Sequence, residues 1–360
     1  MFEKVKADDL FFARVAVFLA FMIPFFVCYE LWFSNRTFPL VPVFDNLFVP
    51  SFAGDIFLIL LFSFFFVVFV FFPNWKIGLP IILIYVYWVL IDQNRIQNFF
   101  FEIILMVIAL TQFKNNVVLS KKCILIILIG TYFWSGLHKL NPIFLGRWEL
   151  GLSKRIPFVP DVLRHVFTYL VPFLETSFGV LLIFTKTRKL GIWLLALMHS
   201  LILVTLIMSN YGFVVFPLNV FNVFIMFYLF YKNPFNKESL FKINYAKTKV
   251  VMAIAIVFPV LNFFGIYDHI LAFSYFSGKP KYARIYFSKS DSIKQLPTNI
   301  YDSVREYNGL YYLDFNEWAG KTIKILVYPE ERVYKKLQNH INSFLEVPDT
   351  RLELYQVAGG

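Results

Sequence analysis

The chain has 360 residues, 59% of them hydrophobic and only 16% charged, with 47 phenylalanines and a formal net charge of +11. That balance lies far from a soluble globular average and defines an all-α polytopic membrane bundle. The basic residues fall in short connections between apolar runs, which is how membrane topology uses Lys and Arg, so nucleic acid is not an expected partner. The two cysteines, Cys28 and Cys123, sit inside apolar runs and read as core residues. No CxxC, HExxH, P-loop or GxGxxG spacing occurs, so neither a metal nor a nucleotide is expected.

The N-terminus mixes Lys4 and Lys6 with Glu3, Asp8 and Asp9, and no small-residue cleavage site follows the first apolar run. It is read as a retained first helix, not a removed signal peptide. Runs able or nearly able to span lie at 11–31, 55–72, 77–92, 99–113, 123–139, 166–185, 189–209, 213–231 and 250–267. That predicts nine spans, or eight if the short third and fourth form one re-entrant hairpin. Fourteen Lys and Arg fall on the N-terminal side of these runs and seven on the other. The N-terminus is therefore expected in the cytoplasm of a bacterial inner membrane, with the C-terminal segment in the periplasm.

The character changes at about residue 268, which divides the chain into a membrane domain, 1–267, and a small α+β domain, 268–360. The stretches 283–287, 309–315 and 322–328 read as strands, and 352–357 as a last one. Pro329 opens an amphipathic helix that carries Val333, Leu337, Ile341 and Phe344 on one face. With no catalytic motif in it, this domain reads as a cap or docking module for a membrane or periplasmic protein partner.

Three polar groups interrupt the apolar runs. Asp92-Gln-Asn-Arg95, with Gln97, Asn98 and Glu102 one turn into the next helix, reads as a buried, specified turn. Ser135, Gly136, His138, Lys139 and Asn141 end the fifth run. A lysine at a helix centre costs roughly 2.5–3.5 kcal/mol on insertion scales, less near a boundary, so Lys139 either anchors the helix or serves a site. Gly136 and Ser135 admit a second backbone, and Asn141-Pro142 stops the helix. His138 lies about 100° away around the helix and need not share the site of Lys139. Glu175, His199 and Asn222 lie at one expected depth near mid-bilayer on three successive runs, with Asn210, Asn219 and Asn262 extending the lining. A glutamate and a histidine there go beyond packing and point to a proton path or a polar-ligand pocket.

The run Tyr132-Phe-Trp-Ser-Gly-Leu-His-Lys-Leu-Asn-Pro142 resembles the signature of HTTM-type membrane proteins, the group that includes vitamin K-dependent gamma-carboxylase. The Asp92–Gln97 stretch and the Glu175 and His199 helices also resemble that group and its DoxX-like neighbours. The resemblance implies Lys139 as general base toward a reduced quinone or similar quinol, with Glu175 and His199 catalytic beside it. Asp92, Arg95, Glu102, His138, Asn141, Asn219 and Asn222 would then line the substrate site. The alternative is a non-enzymatic membrane component that docks a partner through its exterior C-terminal domain.

Overall fold

The computed structural model describes residues 10–112, 116–208, 213–232, 240, 244–288 and 290–356. Among the described residues the α-helices that come first are α1 (Phe11–Val27), α2 (Phe52–Phe71), α3 (Trp75–Ile91), α4 (Asn98–Leu110), α5 (Val117–His138), α6 (Pro142–Arg155), α7 (Asp161–Leu181), α8 (Thr185–Met208), α9 (Phe216–Phe230) and α10 (Ala246–Met252). The last continues as a π-helical stretch, Ala253–Val257, and a 3-10 stretch, Phe258–Phe264. Short polar side chains start several of them. Ser51, Asn74, Asn116 and Asn141 each accept a backbone N–H of the first turn, and Pro142 occupies a position where its missing N–H is harmless.

Five of these helical stretches are long and apolar enough to cross a membrane: Phe52–Phe71, Val117–His138, Thr185–Met208, Phe213–Phe230 and Ala246–Phe264. The nine expected spans are therefore not all reproduced as spanning helices. α1, α3 and α4 are apolar but shorter, and α7 carries Asp161, Arg164 and Glu175. α5 lies at the centre, with 78% of its apolar window buried against 28–50% for the other four. α4 has only 13 residues, about 20 Å against a hydrocarbon core of about 30 Å. Its companion turn at Gln93–Arg95 is itself buried, so protein rather than lipid surrounds this irregular backbone.

The interior differs from one end of the chain to the other. α1 to α4 enclose an aromatic cluster in which Phe25 stacks on Trp32 at 4.5 Å, and Trp32 meets Trp88 at 4.8 Å. α5, α7, α8 and α9 carry Lys139, Glu175, His199 and Asn222, all buried, and α4 adds the buried Glu102.

A four-stranded antiparallel sheet follows, in the order β2-β3-β1-β4: β1 (Tyr282–Phe287), β2 (Arg305–Tyr307), β3 (Leu310–Asp314) and β4 (Thr350–Tyr355). Ala283, Ile285 and Phe287 point inward against α11 (Phe315–Thr322) and α12 (Glu331–Asn342). As expected from the pattern, α12 buries Val333, Leu337 and Ile341, whereas Phe344 lies past its end and is half-buried. The stretch 322–328 is not a strand. Ile323, Ile325 and Val327 do alternate inward, but the backbone finds side-chain partners in place of a ladder. The Leu326 carbonyl accepts from Gln97, while Val327 N donates to Asn316 Oδ1 and Tyr328 N to Asn94 Oδ1. Alternation records burial; it does not say what satisfies the backbone. The expected last strand is β4; Val357 lies outside the described residues.

Candidate functional site: a buried ion pair and its polar neighbours

Glycine decides how close α5 and α7 come. A Cβ on Gly136 would stand 2.4 Å from the Thr176 nitrogen and 2.8 Å from the Pro172 carbonyl oxygen; one on Gly179 would stand 2.8 Å from the Phe133 nitrogen. The two helices run antiparallel with their backbones in contact, as small residues permit in membranes. Lys139, the C-terminal cap of α5, thereby lands on Glu175. Its Nζ donates to Glu175 Oε1 at 2.8 Å and Oε2 at 2.6 Å, and to Ser135 Oγ at 2.9 Å. Both side chains are about one-tenth exposed. The three partners occupy all three hydrogens of an ammonium group.

This arrangement differs from the expected one, in which Lys139 sat at a boundary above a separate midplane layer. α7 begins at Asp161 and not near 166, so Glu175 lies 14 residues (175 − 161) into it, about 21 Å from its start. The first half of α7, with α6 beside it, therefore extends past the end of α5. Val162, Leu163, Val166, Leu170, Phe173 and Leu174 are exposed along it. A groove of about 490 Å³ opens between α6 and α7, lined by Leu140, Asn141, Leu145, Glu149, Tyr169 and Phe173, among others; Lys139 and Glu175 are not part of its lining.

Neither His199 nor Asn222 is hydrogen-bonded to Glu175. Asn219 donates from Nδ2 to the Val215 carbonyl, which turns its Oδ1 toward His199 Nδ1 at 2.8 Å. An amide oxygen only accepts, so Nδ1 carries the hydrogen and Nε2 is free to accept from Tyr132, whose hydroxyl lies 2.7 Å away. Asn222 faces Glu102, a fully buried carboxyl. Among the described residues no donor meets either oxygen of Glu102 in full hydrogen-bond geometry, the Asn222 side chain being its polar neighbour, and Asn222 Oδ1 has no partner.

The Asp92 turn is far from unpartnered. Asp92 pairs with Arg36 and accepts from the backbone of Val41 and from both the backbone and side chain of Asn94. Arg95 donates to the Leu31 carbonyl and lies over the Trp32 ring. Asn94 and Gln97 bond the C-terminal segment, as does Gln93, which accepts from Arg332. Asn141 does the same from the end of α5, donating to the Ser277 carbonyl. His138 turns away from Lys139, stacks on Phe263 and meets Lys279 Nζ at 3.1 Å from Nδ1. Asn262 bonds the Tyr267 carbonyl and His269 instead of extending the central lining. Asn210 lies outside the described residues.

At this junction two titrating groups are displaced from their ordinary values. Burial, reinforced by Lys279, pushes His269 down to about 4. Burial and neighbouring Asp268 push Glu330 up to about 7. Asp268 itself pairs with Arg332 and accepts from Tyr328.

Sequence reasoning missed Tyr132, Arg36 and Lys279. A tyrosine in an apolar run and an arginine in a loop carry no signal of their own, because only the fold shows what they meet. Among the described residues, no three His, Cys, Asp or Glu side chains are grouped to hold a metal.

Apolar spanning helices around a buried, charge-compensated centre define an integral membrane protein. Residues 114–216 match a family model described as methylamine utilisation protein MauE. The matched segment contains α5 to α8, and with them Tyr132, Lys139, Glu175 and His199. No curated protein and no solved structure matches the chain. The matching family is thus not the HTTM-type group whose signature the end of α5 resembles.

Proposed function

We propose that the chain is a membrane component of a metabolic pathway that handles a proton for a lipid-soluble substrate at the Lys139–Glu175 pair. The observation that carries this reading is the pair itself, buried at the crossing of α5 and α7 within the segment similar to MauE. Breaking such a pair is costly, and apolar residues of similar volume would serve stability as well or better, so stability alone is a weak reason to keep it. The name of the matching family attaches those proteins to methylamine utilisation; for this chain we take from it only a place in a membrane-associated pathway. The substrate class, a quinol or similar phenol, rests on the resemblance of the Gly136–Asn141 stretch.

With all three hydrogens of Lys139 engaged, the group placed to accept a proton is the Glu175 carboxylate, and not the amine expected from the resemblance. A hydroxyl that reaches the pair by way of the α6–α7 groove would transfer its proton to Glu175, and the Lys139 ammonium would then pair with the oxyanion left behind. The apolar flank of α7 suits arrival from the bilayer. The topology completes the picture: N-terminus cytoplasmic, residues 1–267 in a bacterial inner membrane, and residues 268–360 in the periplasm.

The deciding experiment compares Lys139→Ala, Lys139→Arg and Glu175→Gln in cells, scoring function and membrane insertion. All three should insert and lose function. Full function in all three removes the proton-handling reading. Normal insertion with loss of an assembled complex favours a second reading, a non-enzymatic component that docks a partner protein through the C-terminal sheet. One observation supports that second reading. The outward sheet face carries Tyr282, Arg284, Tyr286, Tyr312, Arg351 and Tyr355, with Arg284 3.9 Å from the centre of the Tyr355 ring. Tyr and Arg dominate the energetics of protein interfaces. Under that reading, Arg284→Ala with Tyr286→Ala abolishes co-purification of the partner and leaves the Lys139–Glu175 pair intact.

A further inference from the structure

The turn that carries Lys139 is held from outside its own helix. At a helix end the last carbonyls lose their partners in the ladder. At the end of α5 the turn tightens: Lys139 N donates to the Gly136 carbonyl at 3.0 Å and Leu140 N to the Leu137 carbonyl at 3.2 Å. The next carbonyl, that of His138, accepts from Asn141 Nδ2 at 2.8 Å. The same amide reaches the C-terminal segment, donating to the Ser277 carbonyl at 2.9 Å. Before Lys139 in the chain, the His138 ring stacks on Phe263 with centres 4.7 Å apart. Lys279 Nζ meets His138 Nδ1 at 3.1 Å and stands 4.0 Å from the Phe263 ring centre. Residues on both sides of Lys139 are thus tied to one loop, 274–279.

That loop has a set shape of its own. Ser274 Oγ and Ser277 Oγ lie 2.7 Å apart, and Ser277 Oγ accepts from Lys279 N at 3.3 Å. Gly278 has a φ of 73°, and a Cβ there would stand 3.2 Å from Phe144 N, the nitrogen that Asn141 Oδ1 caps. The Phe144 ring centre is in turn 5.9 Å from Lys139 Nζ. At its far side the loop is fastened to the sheet. Gln356, the residue after β4, donates to the Lys279 carbonyl at 3.0 Å.

We propose that Asn141 and Lys279 are positioning residues for the Lys139–Glu175 pair, and that the loop 274–279 completes the site by fixing the last turn of α5. Neither side chain is hydrogen-bonded to the pair; each acts on the residues that flank Lys139. The glycine crossing brings α5 and α7 together, and the loop sets where the tightened turn places Lys139. A displacement of about 1 Å is enough to spoil such an arrangement. The inference rests on the proton-handling reading for its purpose, but its readout requires no turnover.

The test is zero-length cross-linking of the full chain in lipid nanodiscs. Dicyclohexylcarbodiimide, which is lipid-soluble, activates a carboxyl group so that an amine in contact with it closes an amide. Mass spectrometry of the digested protein then reads the Lys139–Glu175 amide. The Lys335–Glu331 amide, formed by a water-soluble carbodiimide from an ion pair at 2.6 Å within α12, is the control for an intact C-terminal segment. Asn141→Ser still caps α6 but lacks the amide that reaches Ser277. Lys279→Met keeps the length of the side chain without its charge. Each should lower the Lys139–Glu175 amide by about ten-fold and leave the control unchanged. Lys279→Arg should restore most of it, because a guanidinium also donates and stacks on a ring. An unchanged Lys139–Glu175 amide in both Asn141→Ser and Lys279→Met overturns the proposal. So does an equal fall of both amides that Lys279→Arg fails to restore, which makes the loop a general folding element. Loss of cellular function in the pair variants with a loop-independent amide would sink this inference alone; a loop-dependent amide beside fully functional pair variants would sink the functional reading alone.

Discussion

Two buried ion pairs among the described residues, Arg36–Asp92 and Lys139–Glu175, are built in opposite ways. Asp92 in the α3–α4 turn is held by Arg36, two backbone nitrogens and an Asn side chain, while Arg95 donates to backbone carbonyl oxygens. Every partner is local backbone or a loop, and the neighbours Asn94 and Gln97 fasten the C-terminal segment. Lys139 and Glu175 bond one another across two helices, with Ser135 as the other hydrogen-bond partner of Lys139 and the Phe144 ring centre 5.9 Å from its Nζ. The first arrangement fixes a shape. The second ties two helices together through a single charge pair.

The comparison breaks most visibly at Asp92. Asp92→Ala leaves Arg36 and Arg95 buried without a counter-charge and should destabilise the protein by about 3–5 kcal/mol. Thermal unfolding in detergent, followed by intrinsic fluorescence, reads this directly. If the Asp92 turn is structural, substituting its charged residues together should not restore stability, because the backbone donors stay unmet.

Lys139→Ala should cost about 2–4 kcal/mol, less than Asp92→Ala because the pair is slightly exposed. Here the double variant Lys139→Met with Glu175→Leu should recover most of that loss while function stays absent. Recovery of both stability and function would reduce the pair to a packing device. Recovery of neither would make it as structural as the Asp92 turn.

Gly136→Ala should cost about 1–3 kcal/mol, since its methyl would meet the Thr176 nitrogen at 2.4 Å and force the helices apart. A disulfide-trapping measurement between α5 and α7 would report the separation. Unchanged trapping and activity would mean that the close crossing is not what holds Lys139 on Glu175.

The smallest effect concerns the junction with the C-terminal segment and its pH dependence. Glu330 is raised to about 7, so the unfolded chain loses that proton first, and stability declines as pH rises from about 4.5 to 7. His269 is lowered to about 4, so the unfolded chain takes up that proton first, and stability declines as pH falls from about 6.5 to 4. Between about 4.5 and 6.5 the two slopes oppose one another. Each is worth about 1–2 kcal/mol after allowance for partial exposure, so the wild type should be nearly flat there. Glu330→Gln removes one slope, and its melting temperature should rise with pH between 4 and 6.5. A flat Glu330→Gln profile would show that the buried junction does not titrate as a unit.

Much of the local structure was legible because lipid and helix geometry leave few choices. Long apolar runs must be helices in a bilayer, and Asn141-Pro142 must end one. The amphipathic stripe of Val333, Leu337 and Ile341 on α12 needed only its period. The Thr322–Tyr328 stretch shows where the pattern misleads. Its inward alternation was visible, but the side chains of Asn94, Gln97 and Asn316 that satisfy its backbone come from elsewhere in the chain.

The site divides in the same way. Composition and spacing singled out Lys139, Glu175, His199, Glu102 and Asn222, because a polar side chain in an apolar run is costly wherever it points. Which of them meet depended on how far α7 slides along α5. A slide of one turn moves a side chain by about 5.4 Å, and nothing local to either helix specifies it. Gly136 and Gly179 against Thr176 and Phe133 set that register, and it put Glu175 on Lys139 and left His199 to Tyr132 and Asn219. The sequence by itself determined a membrane bundle with a few intolerable charges inside it. Only the tertiary structure decided which charge answers which, because helix register is a long-range packing outcome with no local signature.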